Sequence, residues 1–405
     1  MWVNKNFMQR LQFFSKFGRA GNWLLLANVM TGSTFAFIIP VMSYFFLDQK
    51  GDGLNARPID FLIYLVAITF FGTLCNQFMG RMADKGHSSK WIYIFSMACS
   101  AIATLLYANI ESVYLIFVVG IVFVSLGSAA VPQILTVSRQ YADQANIDVN
   151  QFNSVLRASF AAGWVIGSSF SYELIARTGF SGAFYGSSIV SVLAIIVALY
   201  ALPNYHKSKE HRTNGKPDFV PLGFWLLMGV MIIGNVANSL YMLSIPLIIT
   251  NELLLPESLP GKLFAIVAFL EIPFMLYSAK LAIRFNRYHL VMVSFLMGLI
   301  FYLGIYFATQ SWQFMVLQIF NAAFIGIYAG LGISIVQDQL PKFVGFTSTM
   351  YTNSLRIGST LGAVGIFVVG EFFTYQAAVL AALACMLLCL IGLILLQASP
   401  TQKSV

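Results

Sequence analysis

Residues 377–396 read AAVLAALACMLLCLIGLILL, an unbroken apolar stretch near the end of the chain. Crossing the hydrocarbon core of a bilayer, about 30 Å thick, takes about 20 helical residues. This stretch, like residues 290–307, is apolar on every face and lacks the alternation of a barrel strand. A helix is then the remaining way to satisfy the backbone in lipid. The stretch is predicted to be a transmembrane helix.

Similar stretches recur along the whole chain. Of its 405 residues, 59% are hydrophobic and only 9% are charged, whereas soluble domains carry about 25% charged residues. We predict twelve spans between residues 22 and 397, and therefore an all-α integral membrane protein. The basic residues Lys5, Arg10 and Lys16 precede a first span that is too long for a cleaved signal, so we expect this helix to be retained.

Basic residues indicate the orientation of the spans. Most of them fall at the N-terminus, after the second span, in a central polar loop and after the eighth span, on one predicted side of the membrane. Short loops rich in Lys and Arg stay in the cytoplasm, which predicts that both termini are cytoplasmic. The net charge of +8 then lies beside anionic lipid headgroups and needs no nucleic-acid partner.

Two halves of the chain repeat. Asn153-Ser154-Val155-Leu156-Arg157 matches Thr352-Asn353-Ser354-Leu355-Arg356 at a shift of 199 residues, and Ile39-Pro40-Val41 resembles Ile245-Pro246-Leu247. Six plus six helices in parallel repeat are typical of a secondary transporter that works by alternating access, with its site between the halves. We predict an N-terminal half (1–203), a cytoplasmic linker (204–220) and a C-terminal half (221–405).

Arg157 and Arg356 lie inside apolar stretches at equivalent positions of the repeat. Placing a charge at the bilayer centre costs about 2.5–3.5 kcal/mol even on lenient insertion scales. A chain that keeps two such charges is expected to use them for binding. In the alternative interpretation each arginine snorkels to an interface or only joins two helices.

The connection after the second span carries a motif, Gly80-Arg81-Met82-Ala83-Asp84-Lys85-Gly86-His87. It resembles the cytoplasmic loop motif of the major facilitator superfamily. Its glycines would permit a tight turn and close helix approach. Asp84 could pair with Arg139 as a conformational latch. Asp338, 199 residues after Arg139 and at the cytoplasmic end of the tenth span, is also predicted to act as a gate or latch. Alternatively, the loop has no further role, and its basic residues only keep it on the cytoplasmic side of the membrane.

Further motifs resemble the bacterial sugar efflux transporter family of this superfamily. They comprise residues 132–135, 138–143, 156–158, 164–167, 270–273, 337–338 and 351–356, and they fall on polar residues in all parts of the chain. The resemblance implies a major facilitator fold and a proton-linked exporter of small sugars, sugar analogues or glycosides in the bacterial inner membrane. One departure is Ser168-Ser169, where the family tends to have prolines.

Candidate substrate residues follow from helical spacing. Arg157, Ala161, Trp164 and Ser168 share one face of the fifth helix. A guanidinium can bond sugar hydroxyls, and tryptophan can stack on the apolar face of the ring. The full predicted set is Gln133, Arg157, Trp164, Asn235, Asn238, Asn321, Asn353 and Arg356. Each amide alone could equally be an interhelical hydrogen bond.

Glu271 is predicted to couple transport to protons. It lies within the eighth span, two residues before Pro273. Desolvation favours the neutral form of such a carboxyl, whereas a nearby arginine favours the ionised form. Glu271 could therefore change protonation during a cycle. The alternative is a permanent ion pair with Arg356 that closes the C-terminal half.

Other function classes have less support. The four histidines lie in or beside loops, no catalytic triad or metal cluster is present in the sequence, and there is no phosphate-binding loop. We therefore expect no enzyme activity, no cofactor and no metal. The expected partners are a sugar, protons and membrane lipids, and we expect a monomer. The alternative functions are an exporter of drugs or other amphipathic solutes and a binding or scaffold protein.

Overall fold

A computed structural model describes residues 17–48, 53–84, 87–147, 149–204, 220–340 and 344–398. Within these ranges the chain forms helices and connecting turns and no β-strand. Among the described residues, eleven helices are long and apolar enough to cross a membrane, and one of them, Val155–Ala201, is divided at Gly179 into two spans. The prediction of an all-α membrane protein is confirmed.

We number the spans α1 to α12. The first six are α1 (Gly18–Leu47), α2 (Pro58–Asp84), α3 (Ser89–Tyr107), α4 (Val113–Val119 and Ala130–Gln144, joined by a π-helical turn and one α-turn), α5 (149–178) and α6 (180–201). The last six are α7 (Leu222–Leu247), α8 (Leu259–Leu281), α9 (Arg287–Phe307), α10 (Ser311–Gln339), α11 (Val344–Phe372) and α12 (Gln376–Ala398).

Gly179 separates α5 from α6. Its backbone has φ 73° and ψ −177°, a conformation outside the helical region. A side chain would be strained at this positive φ, whereas glycine has no Cβ to clash. One glycine therefore ends the fifth span and begins the sixth without a longer loop.

By contacts the chain forms two compact units, residues 1–39 with 67–209 (unit 1) and residues 40–66 with 210–405 (unit 2). One boundary falls inside α1 at Pro40, which cannot donate a helical hydrogen bond, and another falls inside α2 between Val66 and Ala67. Within unit 2, Phe46 packs on Phe61 and Tyr64, with ring centroids 5.4 and 4.8 Å apart. The units thus differ from the sequence halves at residues 40–66. Most of the predicted linker, residues 205–219, lies outside the described residues.

Each unit has its own core. In unit 1, Phe17 packs on Phe152 with centroids 5.3 Å apart, and the Tyr141 hydroxyl donates to the Phe17 carbonyl at 2.6 Å. In unit 2, Tyr241 lies edge-on to Phe301 with centroids 5.0 Å apart. These contacts fasten the helices that carry the predicted site residues.

Candidate functional site

Arg157 lies in α5, eight residues after the helix begins at Val149, or about 12 Å along its axis. Its side chain is exposed. In the part of the chain that the structure describes, it forms no ion pair and no hydrogen bond. The cation is therefore exposed and has no partner among the described residues.

Arg356 has the equivalent place in α11. It follows the start of that helix at Val344 by twelve residues, about 18 Å along the axis, and its side chain is partly buried. The Thr360 hydroxyl donates to the Arg356 carbonyl at 3.1 Å, a contact within one turn. Asn353, one turn earlier, is exposed. Arg356 and Asn353 thus lie about one turn apart on α11.

Gln133 and Trp164 lie in unit 1 with Arg157. Gln133, in α4, is 3% exposed, and its side-chain Oε1 has no hydrogen-bond donor among the described residues. Trp164 is partly buried in α5. Ser168 is predicted to share a face of α5 with Arg157 and Trp164, but it is fully buried and donates to the Trp164 carbonyl at 2.7 Å. The open face of α5 therefore ends before Ser168.

Two predicted ligands already have hydrogen-bond partners. Asn235, in α7, donates to the Leu355 carbonyl in α11 and, at 3.0 Å, to the Ser359 hydroxyl. Asn321, in α10, is 2% exposed and donates to the side chain of Gln318 at 3.0 Å, whereas its Oδ1, like Oε1 of Gln133, has no donor among the described residues. The geometry gives Asn235 an interhelical role and gives Asn321 a place inside the helix bundle. Asn238, the other amide predicted on α7, is partly buried, as Asn235 is.

Glu271 lies in α8, twelve residues after Leu259, and is partly buried. Among the described residues it forms no ion pair, so this structure does not contain the alternative pair with Arg356. Its backbone carbonyl lies against Gly326 of α10, where an added Cβ would come within 2.9 Å of the oxygen. A glycine is needed there because the two helix backbones are so close. The backbone at Glu271 is thus packed closely against α10, whereas its carboxyl has no cationic partner among the described residues.

The predicted latch residues lie at the ends of α2, α4 and α10. Asp338 pairs with Arg287, the first residue of α9. Arg139 is exposed near the end of α4. The side chain of Asp84, with Lys85 and Gly86, lies outside the described residues, so a pair with Arg139 stays a prediction. Among the described residues an added Cβ at Gly80 would meet nothing within 4 Å, so this part of the chain makes no close helix approach at that glycine.

Two residues, Arg287 and Asn28, contact a predicted latch residue or the helix of a predicted site residue and are not identified from the sequence. Arg287 is one of the basic residues after the eighth span, which in the sequence indicate only orientation, and nothing in its local pattern marks it as the partner of Asp338. Asn28, in α1, makes the same kind of contact to α5 that Asn235 makes to α11. The sequence pattern that could have identified Asn28 is Ala27-Asn28-Val29, which resembles Gly234-Asn235-Val236 at a shift of 207 residues.

Similar proteins agree with this architecture. The family model of the Major Facilitator Superfamily matches residues 24–234 and 226–405. Sugar efflux transporter A of Dickeya chrysanthemi is 30% identical over 362 residues, which cover 89% of this chain and 91% of that protein. Sugar efflux transporter B of Salmonella typhimurium is 29% identical over 87% of this chain and 89% of that protein.

Solved structures show the same fold at low identity. The nucleoside transporter NupG has a TM-score of 0.74 at 14% identity, over 94% of this chain and 99% of that one. The POT family transporter PepTSo has a TM-score of 0.70 at 10% identity, over 94% and 97% of the two chains. These likenesses show the fold, and the family match and the relatives confirm the predicted resemblance: the chain belongs to the major facilitator superfamily and, within it, to the sugar efflux transporters.

Proposed function

We propose that this protein exports a small sugar, sugar analogue or glycoside from the cytoplasm by alternating access, in exchange for protons. We further propose that it lies in a bacterial inner membrane with both termini in the cytoplasm and works as a monomer. The observation that carries the proposal is Arg157, an exposed and unpaired cation among the described residues of an apolar span.

Arg157 favours a polar, hydroxyl-rich ligand. A charged side chain inside a span is costly unless it meets water, an opposite charge or a ligand. Its guanidinium presents several N–H donors in a fixed fork, which suits a pair of neighbouring sugar hydroxyls. Arg356 supplies the same group at the equivalent position of the repeat. Two such residues favour sugar over an apolar drug.

Gln133 and Trp164 add the other chemistry that sugar binding needs. The buried Oε1 of Gln133 is an acceptor without a donor among the described residues, and such an atom is costly to leave unpaired. A sugar O–H is a donor that could satisfy it. Trp164 offers an aromatic face for the apolar side of the ring. We place Asn238 and Asn353 in the same role in unit 2.

The names of the relatives support the substrate class. Both of the relatives described above are named sugar efflux transporters, and each covers most of this chain. Proton exchange is a further step of the proposal. It rests on Glu271, a partly buried carboxyl with no ion pair among the described residues of its unit. Asp84, Arg139 and Asp338 are proposed to latch the cytoplasmic ends of the helices.

The test is counterflow in proteoliposomes. Purified protein is reconstituted with internal unlabelled sugar, and uptake of labelled sugar is followed for a panel of mono- and disaccharides and for one labelled lipophilic cation. We expect exchange of at least one sugar, with competition by its close analogues. Exchange of the lipophilic cation alone would replace the proposal with the alternative of an amphipathic drug exporter. Exchange of neither would contradict both.

A further inference from the structure

In unit 1, Asn28 forms a closed triangle of hydrogen bonds with α5. Its side-chain Nδ2 donates to the Leu156 carbonyl at 2.7 Å and to the Ser159 hydroxyl oxygen at 2.8 Å. The Ser159 hydroxyl donates to the same Leu156 carbonyl at 2.8 Å. All three polar groups therefore serve one contact between α1 and α5.

In unit 2, Asn235 forms the same triangle with α11. Its Nδ2 donates to the Leu355 carbonyl and, at 3.0 Å, to the Ser359 hydroxyl oxygen. The Ser359 hydroxyl donates to the Leu355 carbonyl at 3.1 Å. The serine follows the leucine by four residues here and by three in unit 1. The triangle is thus repeated although its serine is not at the same spacing.

In both triangles the accepting carbonyl belongs to the residue before an arginine. Leu156 precedes Arg157, and Leu355 precedes Arg356. A hydrogen bond to the carbonyl of Leu156 or Leu355 fixes the peptide group that joins this leucine to the arginine after it. A shift or rotation of the helix at that point would move the guanidinium by more than it moves the backbone, because the side chain is long.

The same two helices also pack closely about one turn beyond each triangle. An added Cβ at Gly163 in α5 would collide with the Val29 carbonyl of α1, and one at Gly362 in α11 would come within 2.5 Å of Ser239 in α7. The two glycines are 199 residues apart, like the two arginines. In each unit the helix with the arginine is therefore held against its neighbour both at the triangle and beyond it.

We propose that Asn28 and Asn235 are positioning residues, which set the register and rotation of α5 and α11 so that Arg157 and Arg356 reach the substrate. The inference rests on the proposed role of the arginines in binding sugar. It also assigns Asn235 a function that differs from its predicted role as a ligand, because its amide hydrogens are already directed to α11.

A role in packing alone does not account for Asn28. The residue is 1% exposed, and its Oδ1 has no hydrogen-bond donor among the described residues. An apolar side chain of similar size would fill this place without leaving a buried polar atom unpaired. Asn28 provides what such a side chain lacks, a directed bond to the peptide group of residue 156. Interhelical bonds of this kind contribute little to the stability of membrane proteins.

The test is a double-mutant cycle on sugar affinity. The variants are Asn28→Ala, Arg157→Lys and the double variant in otherwise complete protein, with the dissociation constant measured for the best sugar from the counterflow panel. Lysine keeps the charge but loses the planar fork. We expect Asn28→Ala to weaken affinity about tenfold in the arginine background and hardly at all in the lysine background, since coupled residues are non-additive. Asn235→Ala and Arg356→Lys should behave alike.

Control variants separate positioning from folding. Asn109→Ala removes another side-chain amide contact, in which the Tyr185 hydroxyl of α6 donates to Asn109 in the turn after α3, and should leave affinity unchanged. If Asn28→Ala does not fold, Ser159→Ala removes only one member of the triangle and should show a smaller, equally non-additive loss. Equal losses in the arginine and lysine backgrounds, or no loss, would overturn the positioning role. Unchanged affinity in Arg157→Lys would instead overturn the proposed sugar site, and the positioning role with it.

Discussion

Arg287, the first residue of α9, forms an ion pair with Asp338 at the end of α10. Asp338 lies 199 residues after Arg139, so this position of the repeat carries a negative charge in unit 2 and a positive charge in unit 1. In unit 1 the predicted partner of Arg139 is the acidic Asp84. The charges of the two latches are therefore expected to be inverted between the repeats.

The Arg287–Asp338 pair should control cycling more than stability. Its side chains are 41% and 57% exposed, and exposed pairs contribute only about 0–1 kcal/mol. We expect Asp338→Asn to leave the melting temperature nearly unchanged and to slow sugar counterflow severalfold. The exchanged pair, Arg287→Asp with Asp338→Arg, should recover part of the rate. Asp60→Asn, which breaks the exposed Arg57–Asp60 pair, is the matched control and should cycle normally.

Removal of either span arginine should abolish transport. We expect Arg157→Ala and Arg356→Ala to insert and fold but to show no sugar counterflow, because the hydroxyl-binding fork is lost. Arg177→Ala changes another arginine of α5, which is exposed and paired with Glu173, and should transport like the unaltered protein. Normal counterflow in Arg157→Ala would indicate that this residue only snorkels to the membrane interface.

Gln133→Leu should separate stability from function. Leucine has a similar volume and removes the buried oxygen that lacks a donor, which should stabilise the protein by about 1 kcal/mol. The same change should weaken sugar binding, since the acceptor is lost. Thermal unfolding in detergent, with and without sugar, measures both effects. A fall in the melting temperature of the sugar-free protein would show that Gln133 has a structural partner.

Gly163 should tolerate no side chain. In Gly163→Ala the new methyl group would meet the backbone of Val29 and Ser33 in α1, and overpacking of this kind typically costs about 1–3 kcal/mol. Gly229→Ala in α7 is the matched control, because an added Cβ there meets nothing within 4 Å; it should stabilise by about 0.5–1 kcal/mol. Thermal unfolding of the two variants should therefore shift in opposite directions.

The sequence predicts the helices better than it predicts the contacts of their polar residues. Length and hydropathy are local properties, so the twelve spans and the repeat could be recognised directly. Whether an amide binds a ligand or a neighbouring helix depends on which residue lies opposite, and that is a property of packing. Asn235 and Asn321 look alike as polar residues in apolar spans, yet their amides donate to α11 and to Gln318, respectively. Asn28 is not recognised from the repeat because it lies 207 residues before Asn235, whereas the arginine motifs repeat at a shift of 199 residues.

The last prediction concerns energy coupling by Glu271. Export against a gradient by proton exchange requires a group that binds and releases a proton once in each cycle. Glu271 is the acidic residue placed well inside α8, and among the described residues no cation pairs with it. Glu271→Gln has the shape of the protonated form but cannot release a proton. If the carboxyl couples transport, this variant should keep substrate exchange and lose only the response to a pH difference.

Two measurements on the same proteoliposomes decide this. Sugar counterflow without a pH difference should remain near the rate of the unaltered protein in Glu271→Gln, because exchange needs no net proton movement. Accumulation of sugar driven by an imposed pH difference should be lost. Glu173→Gln, at an exposed carboxyl paired with Arg177, is the matched control and should still accumulate sugar. If Glu271→Gln also accumulates sugar, the carboxyl is structural, and coupling uses another group or the protein is a uniporter.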